Sequence, residues 1–243
     1  GKGANQAIAA ARQEVSVSFL GCVGGDADGR AYRQRMRAEG IDIGGIATDR
    51  QAFTGTAIIG VDESAENLIM VAPEASGRVT PSMIRKHRRK IENASVLLLQ
   101  FEVPTEAILA AIRIANAAGL PAILNPSPFR EDFPWGEVKL DVVIVNEGEA
   151  ASLTGLKPGT LRRQASRWQD ALQAKNIDRL IVTRGKRSTL SRDVVGEFVE
   201  VATHTVKAVD TVGAGDAFAG CLAASLARGV ALEDAIGRAN CAG

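Results

Sequence analysis

Short apolar segments alternate with helical patterns along most of this chain. Residues 104–119 have an apolar helical face and end at Gly119, as an amphipathic helix does. Several other segments are too short for buried helices and end in turn residues, which predicts buried strands at 15–22, 94–101, 121–125, 141–146 and 179–185. The alternation predicts an α/β fold with a central, mostly parallel sheet flanked by helices.

Two regions depart from this alternation. Residues 54–73 are two apolar strands around a polar turn, which predicts a β-hairpin that projects as a small lid, and 188–201 predicts a second hairpin near the end of the sheet. A two-stranded hairpin is marginally stable in water. We therefore expect the apolar lid to pack on a second lid in a homodimer, through some of Ile58, Ile59, Val61, Leu68, Ile69 and Val71.

Composition narrows the class of protein. The 243 residues carry a formal net charge of +1, which gives no electrostatic case for nucleic acid or an anionic membrane. The basic run 85–90 follows Thr80-Pro81, a helix-start pair, and indicates a solvated helix face. Three separated cysteines without a CxxC pair indicate reduced thiols and a cytoplasmic protein.

The segment 210–218, DTVGAGDAF, carries the clearest chemistry. A helix N-terminus exposes unpaired amides and a partial positive charge. Gly213, Ala214 and Gly215 would let those amides converge on an anion such as a transferring phosphoryl group. Asp216 would then accept the proton of an attacking hydroxyl. On spacing alone, a plain glycine turn with an acidic helix cap is equally good.

Other phosphate-binding motifs are missing from the sequence. The pattern G-x-x-x-x-G-K-[ST] does not occur, and GAGDAF has Phe218 where the dinucleotide-binding pattern needs its third glycine.

Two segments resemble the signatures of the PfkB family of ribokinase-like sugar kinases. AVDTVGAGDAFAG (208–220) resembles the C-terminal signature, and GKGANQA (1–7) looks like the remainder of the N-terminal one. Further similarities follow in order along the chain: TGTAIIGVDESAENLI, LLLQFEVP, LNPSP, VNEGEA and IVTRG. The resemblance covers the whole sequence and implies a ribokinase-like fold.

The resemblance implies a role for each matching residue of the acceptor site. Asp216 would be the catalytic base and also contact the sugar, and the amides of 213–215 would form the anion hole. Gly1, Asn5 and Glu102 would bind sugar hydroxyls, for which amide and carboxylate groups are suited. For Glu102 taken alone, an acid on the surface at a strand end is the alternative.

The resemblance also implies a nucleotide site. Lys2, Asn146, Thr183 and Gly185 would contact the nucleotide, and Glu149 would organise Mg²⁺ through water. Each has an ordinary alternative. Lys2 could be a surface lysine, and 183–185 could be a simple turn. Asn146 and Glu149 have the spacing of a helix capping box, which is compatible with both roles.

Asp210 and the Val212 backbone resemble part of a monovalent-cation (K⁺) site. Family members also have a strand before the first signature, with an acid that grips the sugar, and a C-terminal loop that completes the adenine pocket and the cation site. Neither segment is in the sequence, and the alternatives are a trimmed or partial chain and a real loss of both segments. Residues 1–243 are expected to form one ribokinase-like domain, with the hairpin 54–73 inserted within it.

The resemblance implies ATP-dependent phosphorylation of a pentose, D-ribose at its 5-hydroxyl. The alternatives are a related kinase for deoxyribose, fructose or a nucleoside, and a non-catalytic protein that binds a sugar or nucleotide.

Overall fold

The computed structural model describes residues 1–61, 67–204, 206 and 211–243. The predicted polar turn at 62–66 and Asp210 lie outside these ranges. The strands are β1 Ser18–Gly24, β2 Asp42–Asp49, β3 Thr56–Val61, β4 Asn67–Ala72, β5 Leu97–Gln100, β6 Ala122–Asn125, β7 Leu140–Asn146, β8 Ile177–Arg184, β9 Arg187–Asp193 and β10 Phe198–Val201. The helices are α1 Lys2–Ala11, α2 Ala27–Ala38, α3 Pro81–Lys86, α4 Arg88–Glu92, α5 Thr105–Ala117, α6 Glu147–Thr154, α7 Ala165–Gln173, α8 Ala214–Ala227 and α9 Leu232–Ala242.

Six strands form the central sheet in the order β10-β9-β8-β7-β6-β5. The pairs from β5 to β8 are parallel, whereas β9 and β10 are antiparallel additions at one end. The predicted α/β fold and the second hairpin are therefore confirmed. Strands β1 and β2 form a separate parallel pair, and β3 and β4 form the first predicted hairpin.

Both faces of the central sheet are buried, as the apolar strands predict. In β7, Val143 and Val145 belong to a core shared with α5, α6 and α7. The alternate residues Val142 and Ile144 belong to a second core shared with α8 and α9. This alternation follows from the two-residue repeat of a strand.

Some elements differ from the sequence-based expectations. Strand β5 is shorter than predicted, and the helix after Thr80 is interrupted at His87 into α3 and α4. Strand β2 has the sequence DIGGIATD, in which two glycines break the apolar pattern, and it forms by pairing with β1. Helix α1 has no side-chain cap from its N-cap residue, Gly1, so its start carries no local signal.

A cavity of about 790 Å³ lies between α1, β1, β5 and α5. Most of its wall is apolar, but Gln6 and Glu102 also line it. Within the described ranges, none of the helices has the length and apolar character needed to cross a bilayer. The cysteines are free, and Cys22 and Cys221 are buried.

Candidate active site

The carboxyl ends of the parallel strands bring several polar side chains to one edge of the sheet. Asn125 ends β6 and Asn146 ends β7, where it is in register with Thr183 of β8. Glu102 follows the end of β5 by two residues. Open α/β sheets bind their ligands at this edge, so residues far apart in sequence can share one site.

Asp216 lies in the first turn of α8, and its side chain is buried. Asn5 Nδ2 donates to Oδ2 of Asp216 at 2.9 Å, and Gln6 Nε2 donates to Oδ1, also at 2.9 Å. Each carboxylate oxygen thus has one amide donor and keeps a lone pair for a substrate hydroxyl. Because both donors belong to α1, the orientation of the carboxylate depends on how α1 packs against α8.

Glu102 lies against the start of α1. Its Oε2 accepts a hydrogen bond from the Gly3 backbone N–H at 3.2 Å. A β-carbon placed on Gly1 would lie 2.7 Å from the same oxygen. Glu102 is half-buried and contributes to capping α1, so it is not the exposed strand-end acid of the alternative reading. Helix α1 thus contacts Glu102 through the Gly3 N–H and Asp216 through the Asn5 side chain, both within its first turn.

Tyr32 of α2 lies near Glu102. Burial raises the pKa of its phenol, and the negative charge of Glu102 raises it further. The effect of Glu102 on this pKa indicates that the Tyr32 phenol lies near the Glu102 carboxylate.

The sequence predicts that residues 213–215 form the turn into a helix over 216–228, and the structure differs in one respect. Gly213 is the N-cap residue with φ +86°, and the helix begins at Ala214, so Gly215 is a helical residue. The Ala214 N–H donates to the Thr211 carbonyl at 3.2 Å. The N-cap residue has no side chain with which to cap the helix. The start of α8 therefore offers a positive dipole end and backbone N–H groups to an anion, of which the Ala214 N–H is engaged with Thr211.

Asn146 and Glu149 form the capping box of α6. Asn146 Oδ1 accepts from the Glu149 N–H at 2.8 Å, and Glu149 Oε2 accepts from the Asn146 N–H at 2.9 Å. Burial raises the pKa of Glu149, against the opposing effects of the Asn146 N–H, the positive charge of Lys2 and the Ser127 hydroxyl. Lys2 at the start of α1 is therefore close enough to interact with Glu149. The capping box that the spacing predicts is confirmed. Asn146 Oδ1 and Glu149 Oε2 each retain a lone pair for a further contact.

Thr183 and Gly185 lie at the end of β8. The Thr183 hydroxyl donates to the Val145 carbonyl at 3.3 Å. Gly185 has φ +58°, a conformation that favours glycine, in the turn to β9. Both residues lie beside Asn146 at the carboxyl edge, with the backbone of the turn exposed to solvent.

The donors available for a divalent cation are few. Among the described residues, no group of three or more His, Cys, Asp or Glu side chains could hold a metal ion. One carboxylate and one amide at 146–149 suit Mg²⁺ only if phosphates and water supply most of its ligands, as is usual for this ion. For the monovalent-cation site, Asp210 is outside the described residues, and Val212 is exposed at the surface.

Three amide side chains of the site were missed by the sequence analysis. Gln6, Gln100 and Asn125 are joined by hydrogen bonds of 2.6 Å (Gln100 Nε2 to Gln6 Oε1) and 3.0 Å (Gln6 Nε2 to Asn125 Oδ1). The only signal in the sequence is the position of Gln100 and Asn125 at strand ends. Gln6 sits in a helix among alanines, where nothing local marks it.

Comparison with known proteins identifies the family. The model of the pfkB family carbohydrate kinases matches residues 1–243. The ribokinase of Schizosaccharomyces pombe is 33% identical over 245 residues, an alignment that covers 97% of this chain and 76% of the relative. The deoxyribokinase of Salmonella typhi is 33% identical over 228 residues, covering 92% of this chain and 72% of the relative.

A solved structure of a ribokinase is similar to this chain in both sequence and fold. The ribokinase of Cryptococcus neoformans var. grubii in complex with ADP is 30% identical and superposes with a TM-score of 0.78, covering 97% of this chain and 78% of that one.

Proposed function

This chain belongs to the pfkB family of carbohydrate kinases, which are phosphotransferases with an alcohol acceptor, and we propose that it transfers the γ-phosphoryl group of ATP to the 5-hydroxyl of D-ribose. The observation that carries the proposal is the buried Asp216 carboxylate at the uncapped start of α8. A proton acceptor and an anion-binding helix end lie within one turn of each other.

In this mechanism Asp216 accepts the proton of the sugar hydroxyl as that oxygen attacks phosphorus. The amides of Asn5 and Gln6 hold the carboxylate still, so a lone pair points at the hydroxyl without reorganisation. The backbone of 213–215 stabilises negative charge on the phosphoryl oxygens. Asn5 and Glu102, with the Gly1 backbone, hold the other sugar hydroxyls.

The nucleotide phosphates extend from α8 toward Lys2, Asn146, Thr183 and Gly185 in our proposal. The raised pKa of Glu149 and the nearby charge of Lys2 support a site in which acid, amine and phosphate are close. Mg²⁺, held mainly by phosphates and water beside Glu149, would neutralise charge on the phosphates when bound. A monovalent cation, K⁺, would bind at Asp210 and the Val212 backbone.

The hairpin β3–β4 is proposed to act as a lid on the single domain formed by the chain. Asp26 joins the base of this hairpin to α2. Its Oδ1 accepts from the Thr54 hydroxyl at 2.6 Å and its Oδ2 from the Thr54 N–H at 2.7 Å. A closed lid would keep water from the phosphoryl group and prevent wasteful hydrolysis.

The lid is also the proposed interface of a homodimer. Ile58 and Met70 face each other across the hairpin, and their side chains are 61% and 55% exposed. Val71 is 58% exposed, while the side chains of Ile59, Val61, Leu68 and Ile69 lie outside the described part. Exposed apolar side chains on a small hairpin favour burial against a second copy. We place the protein in the cytoplasm, where ATP and reduced thiols coexist.

Deoxyribose is the strongest rival acceptor, because the deoxyribokinase relative is as similar to this chain as the ribokinase. The two sugars differ by one hydroxyl. A polar site that binds this hydroxyl discriminates strongly against the sugar that lacks it. Fructose and nucleosides are weaker candidates, as is a non-catalytic binding role, which the held carboxylate of Asp216 argues against.

The experiment is a panel of sugars and nucleosides with ATP and Mg²⁺, read as ADP release. We expect the highest kcat/KM for D-ribose, at least tenfold above 2-deoxyribose. A higher value for another acceptor would overturn the sugar assignment. Sugar binding in a calorimeter without ADP release would instead support the non-catalytic role.

A further inference from the structure

Gln6 of α1 is fully buried, and its side chain lies between α8 and the carboxyl edge of the sheet. Both hydrogens of its side-chain amide are used. Nε2 donates to Oδ1 of Asp216 at 2.9 Å and to Oδ1 of Asn125 at 3.0 Å. Its Oε1 accepts from Gln100 Nε2 at 2.6 Å. No other donor or acceptor is required to satisfy this amide.

A backbone carbonyl orients the Asn125 amide, and Asn125 in turn helps to orient the Gln6 amide. Asn125 Nδ2 donates to the Ile144 carbonyl of β7 at 2.9 Å. A carbonyl oxygen can only accept, so the Asn125 amide must turn its nitrogen toward β7 and its oxygen toward Gln6. Gln6 must then present its nitrogen to Asn125. The second N–H of that nitrogen is thereby aimed at Asp216.

The Asp216 carboxylate is buried and needs hydrogen-bond donors. Among the described residues, the ion pairs do not include Asp216. A buried carboxylate without donors is costly. Asn5 is exposed and can change rotamer, whereas the buried Gln6 is held at three points.

We propose that Gln6 is a positioning residue for phosphoryl transfer, and that Asn125 sets its orientation from the Ile144 carbonyl. The hydrogen bonds that run from the Ile144 carbonyl through Asn125 and Gln6 form a relay that holds Oδ1 of Asp216. The remaining lone pairs of the carboxylate then keep a fixed angle toward the acceptor hydroxyl. The inference rests on the proposed function. It assigns roles to two side chains that do not contact the acceptor hydroxyl.

The test is Gln6→Met, which keeps the length of the side chain and removes its donors. A misplaced carboxylate costs up to about 100-fold in rate, so we expect kcat to fall about 10- to 100-fold while KM for the sugar stays within about threefold. The matched control is Gln169→Met in α7. It makes the same substitution and removes a hydrogen bond from the Gln169 side-chain amide to the Val194 carbonyl at 3.1 Å. It should leave kcat within about threefold.

A second variant separates positioning from simple destabilisation. Asn125→Leu removes one of the three hydrogen bonds that hold the Gln6 amide in place, so kcat should fall, by less than in Gln6→Met, although Asn125 does not contact Asp216. In the double variant with Gln6→Met, kcat should fall no further than in Gln6→Met alone, because Asn125 acts on Asp216 only through Gln6. If Gln6→Met does not fold, Gln6→Ala replaces it, because it removes the same donors without placing a second carboxylate beside Asp216.

The outcomes are distinct. A folded Gln6→Met protein with kcat within threefold of the native value overturns the inference and leaves the proposed function standing. Losses that multiply in the double variant also overturn the relay, because independent effects multiply. Native protein that phosphorylates no acceptor overturns the proposed function and the inference together.

Discussion

Gly220 of α8 lies directly against the backbone of Gln6 in α1. A β-carbon placed on Gly220 would come within 2.3 Å of the Gln6 carbonyl oxygen and 2.7 Å of the Ala9 side chain. Gly220 is one helical turn beyond Asp216, so this close crossing of α1 and α8 brings the Asn5 and Gln6 amides within reach of the Asp216 carboxylate. Glycine here permits the approach of two backbones.

Gly220→Ala should therefore both destabilise the protein and lower its kcat. The methyl group must push α1 away from α8, an overpacking that costs about 1–3 kcal/mol, and kcat should fall because Asp216 loses its donors. Thermal melting and ADP release measure the two effects. Gly237→Ala in α9 is the control, since a β-carbon there meets nothing within 4 Å. Unchanged melting and turnover in Gly220→Ala would contradict the close crossing.

Asp216→Asn should leave the protein folded and nearly inactive. Loss of a general base lowers the rate by about 10²–10⁴-fold, while the proposed contacts of Asn5 and Glu102 with the sugar would remain. We expect sugar affinity, measured by calorimetry, to weaken only modestly. Because the new amide nitrogen faces one of the two donors, Asp216→Ala should be measured beside it. A kcat near the native value in either variant would remove the base assignment.

The two glycines at the start of α8 should respond oppositely to alanine. Gly213 has φ +86°, so Gly213→Ala should lower stability by about 1–2 kcal/mol. Gly215 is helical and a β-carbon there meets nothing within 4 Å, so Gly215→Ala should raise stability by up to about 1 kcal/mol.

Turnover separates the anion site from an ordinary helix start. Phosphoryl oxygens must approach the amides to about 2.7–3.1 Å, so side chains at Gly215 should lower kcat, with valine worse than alanine, despite intact melting. Sugar affinity should largely survive. Native turnover in a folded Gly215→Val protein would displace the anion site from this turn.

The contact between Asp26 and Thr54 predicts a pH-dependent stability. Hydrogen bonds from the Thr54 hydroxyl, the Thr54 N–H and the Gly29 N–H lower the pKa of Asp26 to about 2, from an ordinary value of 3.8. A lowered pKa stabilises the folded state above the unfolded value, and this stabilisation is lost as the pH falls toward 2. The difference in Tm between native protein and Asp26→Asn should thus be largest above about pH 5 and shrink in acid.

Asp28→Asn is the matched control for this experiment. It removes the same charge from the first turn of α2 at an exposed position that does not contact Thr54. Its effect on Tm should be smaller at every pH. A Tm difference for Asp26→Asn that stays constant from neutral pH to pH 3 would refute the role of the ionised carboxylate.

The hairpin face predicts the state of assembly. Native protein at micromolar concentration should scatter light as a dimer, and Ile58→Glu combined with Met70→Glu should scatter as a folded monomer. Val195→Glu introduces a charge at another exposed apolar residue, 84% exposed in the turn between β9 and β10, and should leave the dimer intact. A monomeric native protein would exclude the lid interface.

Local pattern alone predicted the alternation of strands and helices, both hairpins, the helix after Gly213 and the capping box of α6. Each of these depends on residues within a few positions of one another, such as Asn146 and Glu149, where periodicity or capping chemistry is visible in the sequence. Local pattern also marked Asp216 and its glycine turn but left an acidic helix cap as an equal alternative, and the family signatures favoured the catalytic interpretation because their residues are contiguous.

Tertiary structure alone decided which side chains meet at Asp216. Asn5 and Gln6 are more than 200 positions away, at sequence separations of 211 and 210, and Asn125 joins Gln6 across 119. Glu102 caps α1 across 99 positions, so the start of that helix has no local signal. These contacts exist because parallel strands end at one edge and Gly220 lets two helices cross closely. Local spacing encodes hydrogen bonds within a turn, whereas long-range hydrogen bonds depend on how the elements pack.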